Sequence, residues 1–278
     1  MSKNHLKKFI GFGIAGNFAH HLEQAGEASD FVDVVVEDEN APKGIFPFYL
    51  PNSESFLGTY PLSSKNIVHP RTKDGNLQME PEVALICELK YEGGKVVDFT
   101  PNFFTAYNDC TIRKEGAKKI SEKKNWAEET KGISSQIIPV DSFDSNGILD
   151  SYHIASFLKR DGKVHQYGED SAVKTYNYIY GQLKDWIIQK LNEQKDNGPL
   201  EDLSSHIKNC NSPEGMVISI GATSYTKFGE STFLEVGDEA FVYIYDSNKY
   251  SFEDIQAHVN SEDKEELSNC SFLHQKVI

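Results

Sequence analysis

The sequence predicts an α+β fold in which strands outnumber helices. Three observations carry the prediction. β-rich runs face each other across Gly93-Gly94 and across Asp161-Gly162, the short glycine-containing turns that close antiparallel hairpins. The stretch VKTYNYIYGQLKDWIIQKLNEQ repeats apolar residues at helical spacing, with Tyr176, Ile179, Leu183, Trp186, Ile187 and Leu191 on one stripe. After residue 40 no strand–helix alternation appears, so a doubly wound parallel sheet has nothing to build it.

Taken in order, residues 1–40 open with a short apolar piece, a glycine-rich turn and a helical stretch before FVDVVVED. Residues 41–79 are rich in Pro, Asn, Ser and Gly and read as loops and short strands. MEPEVALICELKYEGGKVVDFTPNFFTAYN is the first hairpin. Residues 114–131, rich in Lys and Glu, read as a solvated helix or lid segment. SYHIASFLKRDGKVHQYG is the second hairpin, and NGP at 197–199 ends the helical region. MVISIGATSYTKFG and STFLEVGDEAFVYIYD read as strands around Gly229, and the polar tail 247–278 is expected to be helical around FEDIQAHV and EDKEEL. With no internal repeat and no long low-complexity linker, residues 1–278 are expected to form a single domain.

Charge narrows the function. The 278 residues hold 42 Asp+Glu against 28 Lys+Arg, a formal net charge of −14. That argues against nucleic acid or an anionic membrane as partner, because phosphate binding needs clustered Lys and Arg. It leaves a small anionic substrate open, since local charge can oppose net charge. No run approaches the roughly 18–20 apolar residues of a membrane span, and MSKNHLKKFIGFG lacks the apolar stretch and cleavage site of a signal peptide. Cys87, Cys110, Cys210 and Cys270 stand far apart and outside any zinc-ligand spacing, as expected for reduced thiols of a cytoplasmic protein.

Two motifs compete for the site. GFGIAG at residues 11–16 is a formal GxGxxG, with Glu37 or Asp38 where a ribose-binding acid would sit; it would make the chain an NAD-binding oxidoreductase. Against it stand a very short lysine-flanked strand and the missing βαβ units. The second motif is a set of carboxylates: Glu80 and Glu82 in MEPEVALICEL, then Asp109 in AYNDCTIR. Side chains two apart on a strand share a face at about 7 Å, so Glu80 and Glu82 project together while Val83, Leu85 and Cys87 take the other face. Enclosed carboxylates repel and lose solvation, and a bound cation relieves both. An all-oxygen set favours Mg²⁺, Mn²⁺ or Ca²⁺ over zinc. The competing interpretation is a solvated edge strand, which Pro81 supports.

The order of segments resembles the fumarylacetoacetate hydrolase superfamily over roughly residues 10–245. The matching pieces are EPEVALICEL for its E-x-E strand, YNDCTIRK for its ND-V-S-A-R-D-like loop, TKGIS for its lysine segment, EGMVISIGATSY for its GD-x-I-x-T-G-T-P segment and LEVGDEAFVYIY for its closing strand. GNFAHHLEQAGE resembles the N-Y-x-x-H-x-x-E lid of that family, which gives the GxGxxG another origin. The resemblance implies a mixed β-roll with a few helices, a lid within residues 1–40, a C-terminal extension at 247–278, and a homodimer for which GIFPFYL offers apolar strand surface. It implies that Glu80, Glu82 and Asp109 bind a divalent ion, usually Mg²⁺. By the same matching His21 is the general base, Lys131 steadies a substrate carboxylate or oxyanion, and Arg113 binds substrate or structures the site through Asp109. Gly221 permits close approach of a ligand to the backbone.

The departures are Gln24 where the lid has glutamate, with Glu23 and Glu27 off register and Glu23 the substitute acid; Leu50 for the lysine of an F-x-K-P segment; Lys114 for an acid; and IGAT for T-G-T-P. The expectation is a divergent, divalent-metal-dependent hydrolase or lyase acting on a small 1,3-dioxo or 2-oxo carboxylate. C–C hydrolysis, decarboxylation and tautomerisation share its enolate. The alternative is a catalytically inactive metal- or ligand-binding relative on the same fold.

Overall fold

The structure is a computed structural model that describes every residue except 1, 2, 20, 27–30, 32, 33, 35–37, 73, 74, 115 and 263–265. Its larger sheet runs in the order β2 (Gly44–Tyr49), β1 (Ile10–Ala15), β13 (Gly215–Ser219), β6 (Pro81–Glu92), β7 (Lys95–Asn108), β9 (Lys131–Ile133), β3 (Leu62–Ser63), with β10 (Ile138–Pro139) also on β7. A second sheet runs β12 (Lys163–Ala172), β11 (Tyr152–Arg160), β14 (Glu239–Asp246), β15 (Cys270–Val277), β4 (Asn66–Ile67). β5 (Leu77–Gln78) and β8 (Thr111–Ile112) form a small separate pair. Helices are few and mostly short: α1 (Lys3–Leu6), α2 (His21–Gln24), α3 (Tyr180–Glu193), α4 (Leu203–Asn209), α5 (Lys227–Ser231) and α6 (Phe252–Asn260). The α+β, mostly-β architecture is the expected one.

Both expected hairpins form, and their turns explain why. Gly93 and Gly94 have φ of 59° and 80°, and Asp161 and Gly162 have φ of 51° and 77°. Two central residues at positive φ make the turn whose twist matches paired strands. Alternation then divides β6 as expected. Val83, Leu85 and Cys87 enter a core that also receives Ile154, Leu158, Val242 and Ile244 from the second sheet, so the two sheets share one apolar interior. Leu183, Ile187 and Leu191 of α3 are fully buried in it, each such side chain contributing about 1.5–3 kcal/mol.

Several local expectations are corrected. The helix starts at Tyr180, because Ile179 is extended with φ −143°; Tyr176 is buried ahead of it and donates its hydroxyl to the Gly221 carbonyl. Gly11 and Gly13 lie inside β1, where an added Cβ would come within 2.3 Å of Phe48 and 2.4 Å of Phe46. They make room for rings on β2 rather than a loop for a pyrophosphate, which removes the dinucleotide interpretation. Pro81 opens β6, a central strand between β13 and β7, so the exposed-edge interpretation fails; proline is tolerated at a strand's first residue. The side chains of Ile45, Phe46, Phe48, Tyr49 and Leu50 in GIFPFYL are already buried within this chain, so they offer no apolar surface to a partner.

Among the described residues of 114–131 there is no solvated helix: a short 3₁₀ turn, Ile120–Lys123, leads into buried Lys124 and Asn125. Gly229 sits in α5, and β13 and β14 on either side of it belong to different sheets. The tail keeps the expected helix at α6, capped by reciprocal Ser251–Asp254 bonds, but then adds the unexpected β15, paired with β14 and β4. EDKEEL and FVDVVVED fall partly outside the described residues. Among the described residues, no helix is long and apolar enough to cross a membrane.

Candidate functional site

The hairpin register brings the acids together. Pro81 pairs with Asn108, so Glu80 and Asp109 stand at matching strand ends. Asp109 N–H donates to the Glu80 carbonyl at 2.8 Å, and the Asn108 side chain accepts from Glu80 N–H at 3.2 Å. Asn108 in turn donates to Gln275 of β15 at 3.1 Å, so the unexpected strand braces the site from behind. Glu80, Glu82 and Asp109 are 3%, 2% and 0% exposed, and each offers an oxygen within 4.8 Å of the other two. The expected face of β6 is therefore real, and it is enclosed.

Cations converge on these acids. Arg113, at the end of the β8 segment, donates from Nη2 to Glu80 at 2.5 Å and from Nε to Gln78 at 2.7 Å. Among the described residues, the carboxylate it pairs with is Glu80, not Asp109 as expected. Lys131, completely buried at the start of β9, stands 3.0 Å from Asp109 Oδ1 and donates to the Cys110 carbonyl at 2.7 Å. Lys124, which the sequence did not single out, ion-pairs with both Glu80 and Asp109 and donates to Thr111 Oγ1 at 2.6 Å.

This field sorts the acids. Burial pushes the Glu80 carboxyl up, but chiefly Lys124 and then Arg113 outweigh it and hold it well below the ordinary range. Burial dominates at Glu82, with Asp109 and Glu80 adding to it, and carries that carboxyl well above the ordinary range. Asp109 is raised by burial against the pull of Lys124 and Lys131. The Lys131 ammonium is lowered by burial, with Asp109 opposing. Cys110 is no nucleophile: burial pushes its thiol up to about 12, Lys131 pulling the other way.

The lid segment supplies the histidine. His21 is 5% exposed, and its Nδ1 lies 2.9 Å from the Thr223 carbonyl. A carbonyl only accepts, so Nδ1 carries the proton and Nε2 is the ring atom turned to the acids, 3.9 Å from Glu80 Oε1. Gln24 fixes the segment by pairing both ways with Tyr225, its amide donating to the carbonyl at 3.1 Å and its oxygen accepting from N–H at 2.9 Å. A glutamate has no such donor, which gives this departure a physical reason. Glu23 is exposed and not brought into the group, Lys114 is exposed, and Glu27 lies outside the described residues. Leu50 belongs to the apolar core. Gly221 has φ +113°, an added Cβ there would come within 3.0 Å of Asn17, and its N–H donates to Glu82 at 2.9 Å. The close approach it permits is to the lid segment's Asn17.

His21, Leu22, Phe46, Glu80, Glu82 and Lys124 line a narrow pocket with room for about one water molecule. A larger surface cavity, about 730 Å³, lies against β3 and β9 and contains none of the expected site residues.

Comparison with known proteins places this arrangement. A family model matches residues 27–277. The chain belongs to a family of unknown function, DUF5718. No curated protein matches its sequence. In three dimensions this DUF5718 chain is similar to Cg1458 bound to an inhibitor, at 17% identity and TM-score 0.56, over 97% of this chain and 76% of that one. It is similar to 2-keto-3-deoxy-D-arabinonate dehydratase in complex with magnesium and 2,5-dioxopentanoate, at 16% identity and TM-score 0.54, over 100% and 80%. It is also similar to a yeast fumarylacetoacetate hydrolase family protein, at 14% identity and TM-score 0.50, over 99% and 96%. The DUF5718 chain thus has the fumarylacetoacetate hydrolase fold, as its motif order implies.

The donor set of Glu80, Glu82 and Asp109 is right in kind for a hard divalent ion. The arrangement is not: the Lys124 ammonium lies among those oxygens, bound to two of the carboxylates. With Lys124 in place the residues present do not fit a divalent ion.

Proposed function

We propose that this chain is an enzyme acting on a small anionic oxo acid at the pocket lined by His21, Glu80, Glu82 and Lys124, with Asp109 buried behind it. The observation that carries the proposal is the enclosure of three carboxylates within 4.8 Å of one another beneath a histidine whose Nε2 is turned to them. The fold supports it, since a similar structure holds magnesium and the oxo acid 2,5-dioxopentanoate.

In this reading His21 Nε2 is the base. It takes a proton from the carbon beside a carbonyl, or from a water attacking that carbonyl, and the Nδ1–H bond to Thr223 keeps the ring in the tautomer that allows this. The negative charge that grows on the substrate oxygen is met by the buried cations, with Lys124 the one that lines the pocket. Arg113 and Lys131 hold Glu80 and Asp109 in place and so act as positioning residues. C–C hydrolysis, decarboxylation and tautomerisation all share this enolate. Mg²⁺, Mn²⁺ or Ca²⁺ would stabilise the same enolate, but only in an arrangement from which Lys124 has withdrawn. The non-catalytic relative is a second reading, and the filled carboxylate group favours it.

The core shared by both sheets supports one domain over residues 1–278. A homodimer and a cytoplasmic location complete the proposal, and sedimentation tests the first. The functional test is a panel of oxo acids, oxaloacetate first, assayed with and without chelator. Turnover that fails in His21→Ala is the expected result. Neither turnover nor saturable binding by any oxo acid would sink the enzyme reading.

A further inference from the structure

We propose that the Lys124 ammonium takes the place of a divalent ion among Glu80, Glu82 and Asp109, so that the resting site is metal-free and a divalent ion enters only by displacing it. The proposal rests on the same carboxylate site as the reading above and deepens it, but it does not require turnover.

An ammonium has three protons to give. Among the described residues, Lys124 reaches three oxygens: Glu80 Oε2, Asp109 Oδ2 at 2.5 Å and Thr111 Oγ1 at 2.6 Å. The Phe46 ring lies on another side, its centroid 4.9 Å from Nζ, and adds the attraction of a π face for a cation. The side chain is 3% exposed, so this is no surface lysine folded over a pocket mouth.

The backbone that delivers it is built for the purpose. Lys124 N–H closes the 3₁₀ turn on the Ser121 carbonyl at 3.0 Å, and the Ser121 hydroxyl is held by Glu201 at 3.0 Å. On the other side Asn125 donates to the carbonyls of Phe48 and Thr59, both at 2.9 Å. The turn before the lysine and the residue after it are therefore tied to the rest of the fold.

Charge completes the argument. Among the described residues, Glu80 is already paired with Lys124 and Arg113, and Asp109 with Lys124 and Lys131, so two of the three acids have cations against them without any ion. A divalent ion added beside the ammonium would put two more positive charges into a pocket with room for about one water. One cation must leave, and the lysine is the covalently attached one, always at high local concentration.

The test is a Mn²⁺ titration, by calorimetry and by the spin resonance of free Mn²⁺, on the full chain freed of metal by chelation. Wild type is compared with Lys124→Met. The expected result is that Lys124→Met binds Mn²⁺ about 100-fold or more tightly than wild type, and that Glu82→Gln added to it removes the gain. Equal affinity of wild type and Lys124→Met overturns the proposal. Should Lys124→Met fail to fold, wild type alone decides, because an ion that binds the folded state raises its melting temperature. A melting temperature indifferent to chelator and to micromolar Mn²⁺ supports the proposal, and a clear rise already at micromolar Mn²⁺ overturns it. Lack of oxo-acid turnover sinks only the functional reading; tight Mn²⁺ binding by wild type sinks only this one.

Discussion

Glu80, Glu82, Asp109 and Lys131 stand on or beside the adjacent strands β6, β7 and β9, whereas His21, Lys124 and Ala222 reach the pocket beside Glu80 and Glu82 from short turns. The strand side is held by a continuous ladder whose register leaves each acid a single place. The turn side is held by individual side-chain bonds: His21 to Thr223, Gln24 to Tyr225, Asn17 to Ile220, Asn125 to Phe48. The strand side fixes an array of charge. The turn side decides what meets that charge, a histidine and an ammonium.

Four experiments test that division. The largest effect is expected on chemistry. His21→Ala should lower kcat by about 10²- to 10⁴-fold with little change in unfolding midpoint, and an unchanged kcat would remove the turn side from the reaction. Next comes the strand side: Lys131→Met leaves Asp109 buried beside one cation fewer and should cost about 3–5 kcal/mol in urea unfolding. A loss under about 1 kcal/mol would show that the ladder alone holds the site.

A third effect concerns the support of the Lys124 turn. Burial raises the Glu201 carboxyl to about 7, against the relief of Ser121 and Lys119. The folded form then keeps a proton that the unfolded chain gives up near 4.5, so this contribution is complete below about pH 4.5 and is lost as pH rises through 7. Wild-type stability should fall by on the order of 3 kcal/mol across that window, and Glu201→Gln should flatten the slope. An equal slope in both would clear Glu201 of the effect. The smallest effect is local: Gln24→Glu removes the donor to the Tyr225 carbonyl and should cost about 1–3 kcal/mol, read as a lower midpoint in urea unfolding. An unchanged midpoint would mean that the segment bearing His21 is fastened elsewhere.

Legibility in the sequence followed the same division. The shared face of Glu80 and Glu82 was readable because the strand period is 2 and the hairpin turn was marked by two glycines. Their burial was not, since it depends on β13 covering β6, and β13 lies far along the chain. Lys124 looked like one more lysine in a charged run, because nothing local distinguishes a buried ammonium from a solvated one. Its partners Glu80 and Asp109 are 44 and 15 residues away. Gly11 and Gly13 show the converse error. Their spacing matched a phosphate loop, but what they approach is a pair of phenylalanine rings on the next strand. β15 was hidden in a polar tail, and its Gln275 could not be seen as a brace before Asn108 was placed against it.

By itself the sequence determined the strand-rich class, both hairpins, the acid-bearing face of β6 and the order of motifs that resembles the fumarylacetoacetate hydrolase superfamily. All of these rest on short-range periodicity and turn chemistry. Only the tertiary structure decided that the face is sealed, that Arg113 serves Glu80, that Gln24 is a clamp, and that Lys124 sits where an ion was expected. Each of those is a contact between residues distant in sequence. The energy of a buried charge is set by which neighbours surround it, not by the residues beside it in the chain.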